Sequence, residues 1–309
     1  MQVESRLLKP ITSTVSRAEM AQALNMVLFH DLQQRVPEGL AYVQDVVSGG
    51  GQITLDHGAL RTVAWPSGTL PAGEASISRV LRPLGFQVSH TYPLPKLKMT
   101  GRAWTHVDFP ETISQFFVSE LHPELFSATF QLAVTRVVAS SVDPLAAQDV
   151  ARLECLSRDG VLPWPCAIEL LPRIIACFAR QHSKPLFSDY EILRAESAEM
   201  AWISTEGNAF NHATDRVRDV EAVSAAQRQC GRAVKDTIEI SRSGRIKQTA
   251  LRAAVVTREF LQGNDWVRRE VPGSFFEFIE RERLPCGALD LAFDAGNASA
   301  IFKMTANEV

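Results

Sequence analysis

Three separated segments of this 309-residue chain carry side chains able to hold a metal ion. Asp-His-Gly-Ala-Leu-Arg runs from Asp56 to Arg61, and Asn-His-Ala-Thr-Asp-Arg from Asn211 to Arg216. Each sets an arginine four residues after a histidine, and His57 and His212 lie 155 positions apart. The third segment, Ser-Phe-Phe-Glu-Phe-Ile-Glu-Arg, spans Ser274 to Arg281. Two imidazoles and one carboxylate on separate segments form a facial set that leaves about three positions of an octahedral ion open. Fe(II) in such a set can hold a bidentate substrate and dioxygen together. His57, His212 and Glu277 are therefore the candidate ligands.

In a strand, Glu277 shares a face with Phe275 and Ile279, while Phe276 and Phe278 point away. A carboxylate flanked by so much apolar surface needs a partner once buried, because an unpaired buried charge is costly. A divalent ion would supply one. The plainer alternatives are a satisfied core or surface histidine, and a glutamate facing solvent at a sheet edge. Asp56 and Asn211 precede the two histidines, and strand alternation turns both to the opposite face. That expectation makes them poor partners for the second ring nitrogen of a ligand histidine.

Arg61 falls on the same strand face as His57, with its Cα roughly 13 Å further along. A guanidinium leaning back could clamp the far carboxylate of an acid whose other end chelates the metal. A surface ion pair is the alternative. The run Lys96-Leu97-Lys98-Met99-Thr100-Gly101-Arg102 has charges at alternate positions and would give one cationic strand face. That face is either an anion funnel or an edge strand protected by lysines. Among the other histidines, His106 competes best, because Thr105-His106-Val107-Asp108 puts a carboxylate near it. No phosphate loop or nucleophile elbow is present.

The elements that must position these residues follow from periodicity and punctuation. Ser16 to Val36 reads as an amphipathic helix, with Ser16 as N-cap and Glu19 as its capping-box partner. Gln52 to Val63 reads as a strand carrying His57 and Arg61 on one face. Ser76 to Leu84 reads as a short helix, and Gln87 to Tyr92 and Lys96 to Val107 as strands. Pro110-Glu111 opens an expected helix to about Leu121, with Gln115, Phe116 and Phe117 inside it. A helical middle region begins at Asp143-Pro144 and includes Pro163 to Arg180 and Tyr190 to Ala195. A second strand-rich unit starts within Ala201 to Val217 and contains a helix at Val220 to Gln229. Further strands are expected at Asp236 to Ser241, Ile246 to Arg258, Ser274 to Glu280, Ala288 to Asp294 and Ala300 to Met304. The chain thus reads as an α+β protein, running strand unit, helical insert, strand unit.

Bulk composition narrows the partners. Hydrophobic residues make up 46% and charged residues 22%, a globular balance, and the net charge of -3 gives no support to nucleic-acid binding. No apolar run of about 18 residues is present to span a membrane, and Met1 to Pro10 does not read as a secretory signal. Cys155, Cys166, Cys177, Cys230 and Cys286 are scattered and contain no CxxC. They predict reduced, mostly buried thiols in a cytoplasmic protein rather than a disulfide scaffold or a thiolate zinc site.

Several segments together carry a family resemblance. These are Leu81-Arg82-Pro83-Leu84-Gly85-Phe86, the run from Tyr92 to Arg102, Gln115 to His122, Val271 to Phe278 and, most specifically, Glu196 to Val217. Over roughly residues 15 to 305 the chain resembles the 2-oxoadipate dioxygenase/decarboxylase family. The resemblance implies a fold akin to the vicinal-oxygen-chelate, or glyoxalase-like, superfamily. In that fold two βαβββ-type modules form a metal-holding cup, here with a helical insert between them. On that reading residues 1-309 make one composite domain: a strand module with flanking helices at 15-140, the insert at 141-200 and a second strand module at 201-309.

The resemblance further implies a non-haem Fe(2+) site of His57, His212 and Glu277, with Arg61 as the substrate-carboxylate clamp. The implied reaction takes 2-oxoadipate, or a related 2-oxo dicarboxylic acid, and O2 to 2-hydroxyglutarate and CO2, a step in lysine breakdown. The 2-oxo acid would chelate iron through its carboxylate and keto oxygen while Arg61 positions it. The segment Asp290 to Phe302 is expected to border the substrate cup; it lacks a longer insert expected there, which leaves the 2-oxo acid less defined than the iron chemistry. Alternatives are a glyoxalase-type isomerase or lyase using the same cup without dioxygen, and a small-acid binding protein on the same scaffold.

Overall fold

A computed structural model describes residues 1–8 and 12–294. Strand β1 (Thr14–Ser16) leads into α1 (Arg17–Arg35) and α2 (Pro37–Ser48). The first strand unit follows: β2 (Leu55–Val63), α3 (Ala75–Leu81), β3 (Phe86–Leu94), β4 (Met99–His106) and β5 (Gln115–Leu121). Then come α4 (Ala128–Val138), α5 (Ala147–Asp159), β6 (Val161–Pro163), α6 (Trp164–Ala176), α7 (Phe187–Glu196) and α8 (Ala198–Glu206). The second unit is β7 (His212–Arg216), α9 (Val220–Gln229), β8 (Glu239–Ile240), β9 (Ile246–Ala250), the hairpin β10 (Val255–Gln262) and β11 (Asp265–Pro272), and β12 (Phe275–Arg281).

One eight-stranded sheet, in the order β3-β4-β5-β2-β7-β12-β9-β8, contains both units. Each unit contributes a strand, a helix and three further strands, with β10–β11 inserted as a separate two-stranded hairpin in the second. The units meet where β2 pairs antiparallel with β7; β2 is parallel to β5, and β7 is parallel to β12. Gly58 pairs with Ala213 in the β2–β7 ladder. A two-fold axis through that pair, normal to the sheet, carries His57 onto His212 and Arg61 onto Arg216. The repeated His-x-x-x-Arg spacing therefore coincides with equivalent positions in the two units.

The sheet is packed on both faces. On one side Leu60, Phe116, Val118, Ala213, Phe276 and Phe278 join a core with α1, α2 and α3. Helix α1 starts as its sequence requires: Ser16 accepts from the Glu19 backbone N–H, and Glu19 reaches back to the Ser16 backbone. Its residues Met20, Leu24, Leu28 and Leu32 are buried, whereas Val27 is exposed. Tyr42 and Phe29 pack against the ring of Phe276, and Tyr42 also against Phe278. The other, concave side holds His57, Ala59 and Arg61 of β2 and Phe275 and Glu277 of β12, as alternation requires.

Close backbone approach explains Gly58. A Cβ there would meet the Phe210 ring at 2.2 Å. Gly58→Ala should therefore destabilise the protein by about 1–3 kcal/mol through overpacking. A lowered urea midpoint checks this, and an unchanged midpoint would show that the ring moves away freely.

Several sequence expectations are corrected. Gln115 to Leu121 is strand β5, not helix. It is internal to the sheet and buried on both faces, so its consecutive Phe116-Phe117-Val118 lack the alternation that separates strand from helix. Ala201 to Glu206 belongs to helix α8, and the second unit's first strand starts only at His212. Ile246 to Arg258 is two strands broken at 251–254, and β11 was not anticipated. Ala288 to Asp294 forms no strand apart from a bridge between Arg283 and Leu289, and Ala300 to Met304 lies outside the described residues. The basic run gives no cationic face. Pro95–Leu97 is a 3-10 turn, Lys98 adopts a left-handed φ of 53° and sits over Phe126, and Arg102 pairs with Glu120. Only Cys177 of the five free thiols is buried, so most are not core residues.

Candidate metal centre

His57, His212 and Glu277 converge on the concave face at the junction of the two units, and all three are buried. His57 Nε2 lies 3.3 Å from His212 Nε2 and 3.3 Å from Glu277 Oε2, and the third edge, His212 to Glu277, is 3.6 Å. The corners of a triangle with ~3.4 Å edges lie about 2 Å from its centre, which is the length of a metal–ligand bond. Glu277 Oε1 is buried without a hydrogen-bond partner. An orphaned carboxylate oxygen among three converging donors fits a divalent cation. The donor set, two nitrogens and one carboxylate, suits a borderline metal with open positions.

The register explains the convergence. β2 and β7 are adjacent and antiparallel, which sets the equivalent histidines side by side across the junction. β12 runs beside β7 with Glu277 opposite Thr214, two residues on from the His212–Phe275 pair. Thr214, which sequence reading did not single out, donates its hydroxyl to Glu277 Oε2 at 2.6 Å and lies 3.1 Å from His57 Nε2. The only sequence signal for it was its position two residues after His212 in a strand.

The neighbours of the histidines overturn the alternation argument. Asp56 Oδ1 accepts from His57 Nδ1 at 2.9 Å. The register between β2 and β7 slips between Leu55 and His57, so Asp56 is the extra residue of a bulge and turns toward its neighbour. Asn211 precedes the first residue of β7, where alternation has not begun, and its amide lies 3.2 Å from His212 Nδ1. Asp56 thus gives His57 the acceptor that orients a ligand imidazole, whereas the Asn211 amide nitrogen is a donor and would serve His212 in that way only with its oxygen turned to Nδ1.

Behind Asp56 stands Arg281, also missed by sequence reading beyond its place at the end of the third segment. Its Nε and Nη2 donate to the two Asp56 oxygens at 2.9 Å each, and its side chain is fully buried. Burial works against ionisation of Asp56, but the Arg281 charge and the His57 bond hold its carboxyl far below the usual range. Burial likewise disfavours a charged His57; Asp56 and Glu277 outweigh it and raise the proton affinity of the ring. That negative charge is what a divalent ion would neutralise. His212 is pushed down to about 3 by burial, with the neighbouring His57 and Arg61 opposing the pull of Glu277. It is neutral at physiological pH, as a ligand must be.

Arg281 also fastens the C-terminal segment. Its Nη1 donates to the carbonyls of Asp290 and Ala292 at 2.9 and 2.7 Å. Phe293 is thereby set edge-on to His57, with ring centroids 4.8 Å apart, and against Phe117 at 4.9 Å. The Phe293 N–H donates to the Tyr92 hydroxyl. Residues 290–294 thus wall the concave site, while 295–302 lie outside the described residues.

Arg61 is fully buried on the same face, over the Trp202 ring at 5.1 Å. Burial lowers it to about 10, opposed by Glu199, so it remains a cation. Arg216 diverges from it: its guanidinium is partly exposed, donates to the Glu111 carbonyl and lies 3.8 Å from Asp56. His106 is not part of the centre. Its Nδ1 accepts the backbone N–H groups of Asp108 and Phe109, and burial lowers it to about 4. A second acidic group, Asp219, Glu221 and Glu280, is largely exposed, and Lys247 pairs with Glu221 and Glu280. No helix among the described residues is long and apolar enough to cross a membrane.

Known proteins share this chain's sequence pattern and fold. A crystal structure of a protein from Ralstonia eutropha JMP134, assigned to the glyoxalase superfamily, is 53% identical and superposes with a TM-score of 0.91, over 96% of this chain and 92% of that one. The hydroxyglutarate synthase of Oryza sativa, solved in complex with 2-oxoadipate, shares the fold at 19% identity, with a TM-score of 0.75 over 97% of each chain. The rice 2-oxoadipate dioxygenase/decarboxylase of chloroplasts and amyloplasts is 23% identical over 289 residues, 84% of this chain and 71% of that protein. The family model for 2-oxoadipate dioxygenase/decarboxylase matches residues 17–295, a span that includes all three candidate ligands and Arg61. The chain belongs to the 2-oxoadipate dioxygenase/decarboxylase family of enzymes.

Proposed function

We propose that this enzyme is Fe(II)-dependent and converts 2-oxoadipate, or a closely related 2-oxo dicarboxylic acid, and O2 into 2-hydroxyglutarate and CO2. The observation that carries the reading is the buried His57–His212–Glu277 triangle in a chain of this family. Iron(II), when bound, supplies the redox chemistry and the template that bring O2 and a 2-oxo acid together. His57, His212 and Glu277 hold it. Asp56 keeps the His57 Nδ1 proton in place, so that Nε2 faces the ion. Arg61, cationic and buried, takes the distal carboxylate of the substrate and fixes its reach. Phe117, Phe293 and Ala59 give the site an apolar wall that excludes water from the reacting end. The free thiols fit a reducing compartment such as the cytoplasm.

Oxygen consumption tests the reading. Adding 2-oxoadipate to Fe(II)-loaded enzyme should consume O2 and release CO2 in equal amounts, leaving 2-hydroxyglutarate. A glyoxalase-type isomerase or lyase would consume no O2, and a binding protein would return the acid unchanged. Either result would overturn the proposal.

A further inference from the structure

Gln115 is buried to 1% exposure, and neither its side-chain Nε2 nor its Oε1 has a hydrogen-bond partner. Leaving both ends of a buried amide unsatisfied is destabilising. The residue nonetheless occupies a central strand beside the candidate centre. In the parallel β2–β5 ladder it stands directly opposite His57. Its neighbours in β5 settle which way it faces. Phe116 and Val118 belong to the helix-side core, whereas Phe117 packs with Ala59 and Ala103 on the concave side. Period-two alternation puts Gln115 on the concave side with Phe117 and His57.

The two-fold relation between the units shows what this position accommodates. Gln115 pairs with His57 as Phe275 pairs with His212, and Phe117 pairs with Ala59 as Glu277 pairs with Thr214. Phe275 stacks on the ring of His212, with centroids 4.7 Å apart. The register position beside a ligand histidine is thus filled by an apolar side chain in one unit and by an unsatisfied amide in the other. Packing alone would favour an apolar residue in both. A polar group kept there at a cost in stability points to a ligand that completes its hydrogen bonds.

We propose that Gln115 is a substrate-binding residue, whose amide donates to an oxygen of the 2-oxo carboxylate at the metal-proximal end. This rests on the 2-oxo acid reading above. Arg61 lies four residues along β2 from His57 and addresses the distal end, so the two residues would grip opposite ends of one dicarboxylate.

Anaerobic titration of the metal-loaded protein with 2-oxoadipate, and separately with pyruvate, tests this. Pyruvate carries the 2-oxo acid head without a distal carboxylate. In Gln115→Leu, and in Gln115→Met as a second apolar variant, metal content should match wild type and the melting temperature should be equal or higher. Kd should rise about tenfold or more for both acids, by a similar factor. A purely structural glutamine would instead lower the melting temperature and leave Kd unchanged. Unchanged Kd in a folded, metal-replete variant overturns the proposal while leaving the enzymatic reading intact. Failure of the wild type to bind 2-oxoadipate at all would overturn both.

Discussion

His212→Ala should abolish 2-oxoadipate-dependent oxygen uptake, with turnover falling at least about a hundredfold, and should remove stoichiometric metal from the purified protein. The reason is geometric. Nε2 of His212 closes a triangle whose edges are 3.3 to 3.6 Å, and among the described residues no other His, Cys, Asp or Glu donor joins that group. The fold should survive, because His212 is itself neutral and His57, whose proton affinity is raised, remains 3.3 Å from the Glu277 carboxylate. Thermal stability separates the two effects. Metal at a hundred times its Kd stabilises a protein by about 2.7 kcal/mol. Chelation should therefore lower the melting temperature of the wild type and leave that of His212→Ala unmoved. Turnover that persists in His212→Ala would remove this residue from the ligand set.

Asp56→Asn has the second largest expected effect, and it acts without touching the metal. The substitution preserves shape but leaves the buried Arg281 guanidinium without its counter-charge. Breaking one side of such a pair costs about 3–5 kcal/mol. The same change weakens the acceptor that orients His57, which should reduce metal affinity about 10–100-fold. The double variant Asp56→Asn with Arg281→Met should recover much of the stability, since no uncompensated charge remains, but not the metal affinity. Denaturant midpoints and metal titrations of the single and double variants give the coupling. Equal losses of stability in both variants would show that the ion pair is not what holds the segment. The pH dependence follows from the depressed Asp56 ionisation. Its contribution is complete above the unfolded carboxyl value near about 4, and is lost only as pH falls further, through the folded value.

Legibility differed between the ligands and the residues that support them. His57 and His212 stood out because each precedes an arginine by four residues, and Glu277 because its flanks are apolar. Their supporting residues did not. Asp56 was turned the wrong way by a rule that assumes an unbroken ladder, and one bulge residue reverses that rule. Arg281 lies 225 positions from Asp56, and nothing local announces the pair. Thr214 is an ordinary strand threonine until Glu277 is placed opposite it. Gln115 falls inside the expected helix because Pro110-Glu111 resembles a helix start and the apolar residues that follow, Phe116-Phe117-Val118, are consecutive rather than alternating. Central strands buried on both faces give that same signal.

By itself the sequence determined the chemistry on offer: which side chains could bind a cation, which arginine could hold an acid, and an α+β chain in two strand-rich units around a helical insert. These are properties of residue type and short-range period, and they are written locally. Tertiary structure decided which groups share a cavity and which partners orient them. Pairing β2 with β7 across the two-fold junction sets two imidazoles 155 residues apart within hydrogen-bond reach, and the bulge at Asp56 builds the Arg281–Asp56–His57 relay. Strand register and bulges are set by packing of the whole sheet, and a one-residue slip exchanges its faces. No short stretch of sequence contains that information.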